Sequence, residues 1–196
     1  MRGMRPALAL HTAWLLGLLA PPAVRAESLR YLLEPTHSFV HFEVLHFGTS
    51  TIRGRLGPLN GEVMLDRAAR RGRVQVQLEP AAITTGLAVL DARLKQADLL
   101  DTQAHPQAWF VAEGFEFNAT GGVAAVRGEF TLRGVSQGLS LRALRFNCYR
   151  NPLFGREVCG GDFEGELLRS DFGIGFGLPF VADRVRLLVQ VEALAQ

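Results

Sequence analysis

Apolar and polar residues alternate along most of this chain. Between His37 and Gly48, the bulky apolar residues Val40, Phe42 and Val44 fall at every second position, with His41 and Glu43 between them. A strand points successive side chains to opposite faces, so these three share one face and bring His46 onto it. The same period, or a run rich in β-branched and aromatic residues, recurs at 50–56, 61–66, 73–78, 109–117, 124–132, 139–147, 162–170 and 185–192. Gly, Asn, Pro and Asp punctuate the intervals. So many antiparallel-looking segments in one small domain predict a barrel or a sandwich.

One stretch departs from the two-residue period. Leu87, Leu90, Leu94 and Ala97 recur at helical spacing, which predicts a single helix inserted over 87–100. Thr84 or Thr85 is the candidate cap, and His105-Pro106 lies past its end. No internal repeat or interdomain linker is visible, so one domain is expected.

The N-terminus follows other rules. Two arginines within Met1–Arg5 precede an almost unbroken apolar run from Ala7 to Ala20, Pro21-Pro22 breaks it, and Val24-Arg25-Ala26 offers a cleavage site. This layout predicts a signal peptide over 1–26 that is removed, leaving a domain at 27–196. Its apolar part is shorter than the ~20 residues that a membrane span needs. No later segment is long and apolar enough either, so the mature chain is expected to be exported to the periplasm or beyond, with no membrane span.

Cleavage leaves about 170 residues, enough for a substantial core. Loss of Arg2, Arg5 and Arg25 takes the formal net charge from +2 to −1. A near-neutral protein gives no electrostatic case for nucleic acid. In an oxidising compartment, Cys148 and Cys159 are expected to form a structural disulfide rather than a zinc site, since no matching histidine pair accompanies them. His37, His41, His46 and His105 form no recognised metal spacing, and no metal is expected.

Strand parity nominates an inward-facing apolar set: Val40, Phe42, Val44, Val63, Val74, Val76, Phe110, Phe130, Leu132, Leu167, Val185, Leu187 and Val189. Two polar residues join it, His46 at the end of its strand and Arg169 on the parity of Phe163 and Leu167. Arg suits a phosphate through paired hydrogen bonds; the competing expectation pairs Arg169 with Asp171 or another acid as a structural contact. Pattern alone leaves the interior open to two descriptions, an empty channel or a packed dry core. Phe39, Trp109 and Val111 on the outer parity offer a surface for a homodimer. No serine elbow, phosphate-cradling loop or carboxylate pair stands out, so no catalytic residue is assigned. Asn118-Ala119-Thr120 is read as a turn.

Several segments also carry a resemblance. His37-Ser38-x-Val40-x-Phe42-x-Val44-x-His46, continued by Ser50-Thr51-Ile52-Arg53-Gly54-Arg55, resembles the opening of the YceI-like family of bacterial proteins. Ile83-Thr84-Thr85-Gly86, Asp98-Leu99-Leu100-Asp101, Phe130-Thr131-Leu132-Arg133-Gly134-Val135-Ser136 and Arg169-Ser170-Asp171-Phe172-Gly173 follow in the family's order. The resemblance spans Tyr31 to Ala193. It implies a single lipocalin-like antiparallel β-barrel of about eight strands, with a helical insertion and a long apolar channel. It also implies an exported binding protein for a long-chain amphiphile such as a polyisoprenoid, isoprenoid quinone or fatty-acid amide. The cysteine pair is similar to that of a subset of exported relatives.

Two departures stand out. The family often shows Arg-Asp-x-His-Leu at the helix where this chain has Leu90-Asp91-Ala92-Arg93-Leu94, and an aromatic pair where it has Leu99-Leu100. The function expected is therefore reversible burial of a hydrophobic tail, with a bound isoprenoid or fatty-acyl lipid as ligand and no cofactor. The alternatives are an enzyme acting on an apolar substrate through His46 or Arg169, and an accessory to a membrane redox or envelope-stress system.

Overall fold

The structure, a computed structural model, describes residues 28–196; the expected signal peptide lies outside the described residues. Ten strands follow one another: β1 (Leu29–Leu33), β2 (Phe39–His46), β3 (Ser50–Leu56), β4 (Asn60–Asp66), β5 (Arg71–Leu78), β6 (Ala108–Phe117), β7 (Val123–Leu132), β8 (Val135–Arg150), β9 (Glu157–Leu168) and β10 (Val181–Ala195). A short helix, α1 (Ala88–Leu94), lies between β5 and β6. The ten strands make an eight-stave antiparallel barrel, because the first two staves are each broken in the middle. β10 pairs along one edge with β2, as in Val44↔Val185, and further on with β1, as in Tyr31↔Ala195. The next stave repeats the division, β3 on β2 and β4 on β1.

The breaks have local causes. Pro35 lacks the N–H that a ladder needs, and a 3₁₀ turn at Pro35–His37 replaces the strand there. Ser38, fully buried, repairs the gap: its hydroxyl donates to the Glu192 carbonyl and accepts from the Glu192 N–H. The second stave breaks at Gly57-Pro58, and there the Leu59 N–H donates to the Ser38 carbonyl, tying one break to the other. The remaining staves are joined up and down. At 118–122, the Asn118 side chain accepts from the Thr120 and Gly122 N–H groups, the turn expected there.

Several boundaries differ from expectation: β8, β9 and β10 begin at Val135, Glu157 and Val181, earlier than the expected 139, 162 and 185. β1 was not anticipated, and the strand expected to end at Ser170 stops at Leu168, where a 3₁₀ turn begins at Arg169. Outside the barrel, charges alternate across neighbouring staves: Arg142, Glu164, Arg186, Glu43 and Arg53 form successive ion pairs from β8 to β3. Each exposed pair is worth little, but the row keeps this face polar. No helix among the described residues is long and apolar enough to cross a membrane.

Cys148 and Cys159 face each other across β8 and β9 and are joined as a disulfide, closing an excursion of 11 residues. Replacing both by serine is expected to remove about 3 kcal/mol of stability, by the chain-entropy model. Urea unfolding without reductant measures this, and reduced wild-type protein should match the variant. Gly54 has a different task. A β-carbon there would collide with the Phe42 ring and lie 2.8 Å from the Thr84 carbonyl oxygen. Gly54→Val should therefore cost about 1–3 kcal/mol, seen as a lower melting temperature.

Candidate functional site

The inward faces of the staves do not meet. They enclose a cavity of about 450 Å³, within the roughly 300–1,000 Å³ usual for small-molecule sites. Every inward residue nominated from the sequence borders it, His46 and Arg169 included. Register explains the shared wall: Leu187 lies opposite Phe42 and Val189 opposite Val40, while Phe163 and Leu167 of β9 flank the same strand from its other side. Val40, Phe42 and Val44 point inward yet are only half-buried, because they face open space. A packed dry core would have covered them, so the channel is the description that holds. Gly54 contributes by letting the Phe42 ring lie back against the wall.

The helical excursion between β5 and β6 roofs one end. Its helix is shorter than the one expected over 87–100, and neither threonine caps it; Leu87 is the N-cap residue, without a side-chain bond. Asp91 instead reaches back, accepting from the Thr85 hydroxyl and the Thr85 N–H at 2.6 Å each and from the Thr84 hydroxyl at 3.1 Å. The Thr85 hydroxyl, then its N–H, hold the Asp91 carboxyl below the usual carboxylate range. Past Leu94 the chain turns back on itself. Arg93 grips Asp98 with two bonds of 2.6 Å, and Arg133 donates to the carbonyls of Ala97 and Leu99. Leu90, Leu94 and Leu99 line the cavity from this roof. Sequence periodicity placed the leucines on one face but had no means of aiming it.

The β9–β10 connection forms the other lip. Arg169, buried to 7% exposure, donates from Nε to Ala182, from Nη1 to Ile174 and Phe176, and from Nη2 to Val181, all backbone carbonyls at 2.8–2.9 Å. The expected partner Asp171 makes no bond to it. Carbonyls of a looping segment are closer than any carboxylate, and the neighbouring Asp183 is held by the Ser170 N–H and hydroxyl. Burial pushes the Arg169 guanidinium below its ordinary value, with Asp183 opposing. The side chain still carries its charge. Phe176 of the same loop lies under the Arg93 guanidinium at 4.2 Å, joining the two lips. Phe176 lines the cavity and is 54% exposed, so the cavity reaches the surface here. Beside it Phe47 and Phe180 stack at 5.3 Å, both largely exposed.

At the opposite end the lining residues Tyr31, Leu33, Leu65 and Val123 are buried and cover the cavity. Tyr31 is almost fully buried and donates from its hydroxyl to Glu157 at 2.5 Å, and Arg67 reaches the same carboxylate at 3.1 Å. Burial first, and then the bond to Glu157, push the Tyr31 phenol well above its ordinary value. Cys148, Glu157 and Cys159 lie close enough to hold a metal, but both sulfurs are bonded to each other. Tyr31 and Leu33 on β1, with Ile52 and Phe115, also line the cavity and were not foreseen. Of the outer residues, Phe39 lies under the Arg55 guanidinium at 4.4 Å instead of standing free.

Comparison with known proteins agrees with this architecture. The YceI-like domain matches residues 31–193. A UPF0312 protein of Pseudomonas paraeruginosa is 29% identical over 164 residues, 83% of this chain and 84% of that protein. Among solved structures, BcnA of Burkholderia cenocepacia superposes with a TM-score of 0.66 at 20% identity, covering 82% of this chain and 98% of BcnA. A polyisoprenoid binding domain from Saccharophagus degradans, implicated in plant cell wall breakdown, gives 0.61 at 17% identity, covering 86% and 99%.

The Asp91 contacts make the roof testable. Asp91→Ala should speed amide hydrogen exchange across 84–94 while leaving β6 to β10 protected. The wild-type anchor is a depressed carboxylate, so its contribution is present at neutral pH and fades as the solution falls below about pH 4. Exchange measured at decreasing pH, corrected for intrinsic rates, should loosen the wild-type roof toward the variant.

Proposed function

This chain belongs to the YceI-like family, and on that premise we propose that it is an exported protein that reversibly buries the hydrocarbon tail of an amphiphile in its barrel. The observation that carries the reading is the open apolar lumen, with its half-buried Val40, Phe42 and Val44. Unfilled apolar wall is costly to leave against water. Each methylene moved onto it contributes roughly 0.8 kcal/mol. Association and ordering cost on the order of 4–15 kcal/mol, so a tail of a dozen or more carbons is the smallest that binds usefully. Polyisoprenoid and fatty-acyl chains meet this requirement, and the Saccharophagus domain described as polyisoprenoid binding supports the first class. A disulfide between β8 and β9 fits an oxidising compartment outside the cytoplasm.

Burial without bond making fits the wall. Among the described residues, the lining includes no serine, threonine, lysine or carboxylate, Cys159 is in a disulfide, and the Tyr31 hydroxyl is engaged by Glu157. Solvent extraction of the purified mature protein, followed by mass spectrometry, should release one stoichiometric long-chain lipid. Phe42→Glu places a charge on the lumen wall and should yield protein that is folded by circular dichroism but lipid-free. A series of saturated alcohols should gain about fourfold in affinity per added methylene until the lumen is filled. Affinity that ignores chain length would refute the reading.

A further inference from the structure

The polar groups of the lumen are sorted by sign. Among the described residues its lining contains His46, Arg93 and Arg169 and no acidic side chain, and contacts with Val181 and Phe176 gather all three bases at the open end. Arg93 is neutralised by its two bonds to Asp98. Arg169 has no acid in contact: its four bonds go to carbonyl dipoles, and Asp183, whose charge acts on it from nearby, makes its own bonds to Ser170. A guanidinium has five N–H donors, so one remains. His46 is its neighbour through the backbone, because His46 pairs in register with Val181, whose carbonyl accepts from Arg169. No described group bonds to the His46 ring nitrogens, although the ring is half-buried and borders the lumen. At the far end the carboxylate of Glu157 is taken up by Tyr31 and Arg67.

A buried cation without a contacting acid, a spare donor and an unpaired imidazole stand together where an apolar channel opens. Resting on the carrier reading above, we propose that the amphiphile is acidic, and that His46 and Arg169 seat a carboxylate or phosphate oxyanion at the end of its chain. The tail then lies toward Tyr31 and the head at the mouth. A hydrogen bond to a charged group is stronger than one between neutral groups, and the surrounding apolar wall lessens screening. An alcohol of the same length fills the same lumen without that charge, and an amine presents the wrong one.

The test holds the chain at sixteen carbons and changes the head. Mature protein freed of lipid is titrated at pH 8 with hexadecanoate, hexadecyl phosphate, hexadecanol and hexadecylamine, each displacing a neutral fluorescent naphthylamine dye. The two acids should bind at least about tenfold tighter than the alcohol, and the amine weakest. The ratio between the acids tells which headgroup is preferred. His46→Leu should narrow the gap between acid and alcohol about threefold or more; an unchanged gap would overturn the assignment to this pair. Equal binding by all four heads overturns the acidic seat while leaving the carrier reading intact. Failure of every sixteen-carbon compound to bind folded protein refutes the carrier reading itself. Inorganic phosphate alone should not displace the dye, and displacement comparable to hexadecyl phosphate would make this a free-anion site instead of a headgroup seat.

Discussion

Everything in this fold depends on the seam at which β10 meets β1 and β2. Along it the last stave pairs with both halves of the first, and the sheet closes on itself, leaving only the outer edge of β3, where a single bridge joins Arg55 to Thr84. Closure satisfies the backbone within the wall itself. The inward side chains are thereby released from the usual requirement to hold two layers together by packing into one another. An interior that would be a structural fault in a sandwich is tolerable here. Ser38 matters out of proportion to its size, because its hydroxyl replaces ladder bonds at the place where the first stave is interrupted.

The walls divide the chemistry cleanly. Charges on the outside run in alternating sign across β8, β9, β10, β2 and β3, where water screens them and their pairing costs little. Inside, apolar side chains dominate, and the few polar groups are gathered at the two ends. Tyr31, Glu157 and Arg67 satisfy one another at the shut end. At the open end Arg169 spends donors on carbonyls and so holds the lip in place with no acid in direct contact.

The sequence revealed the wall better than it revealed the space. Period-two alternation aimed Val40, Phe42 and Val44 inward without any knowledge of their partners, because the face of a strand residue is a local property. β1 escaped notice since Leu29, Tyr31, Leu32 and Leu33 are apolar on both parities, and only pairing with β4 and β10 selects which face is inner. The helix overran for a related reason. Ala97 continues the helical spacing, but Arg93 draws Asp98 back and Arg133 captures carbonyls that would have accepted helical bonds. Whether the lumen is filled was not legible at all. It turns on ångström-scale fits between side chains, such as Gly54 making room for the Phe42 ring, that hydrophobicity does not encode. Nor did any local pattern foretell that Arg169 would find carbonyls from 174 to 182 in preference to Asp171.

The bonded plug of Tyr31, Glu157 and Arg67 has a directional consequence. A barrel stoppered at its base is a test tube and not a pipe. Whatever slides in must back out through the same doorway, so loading and unloading are one path travelled in reverse. On the proposed carrier reading, a donor and an acceptor would compete for that single face, and cargo would change hands only by the protein turning from one to the other.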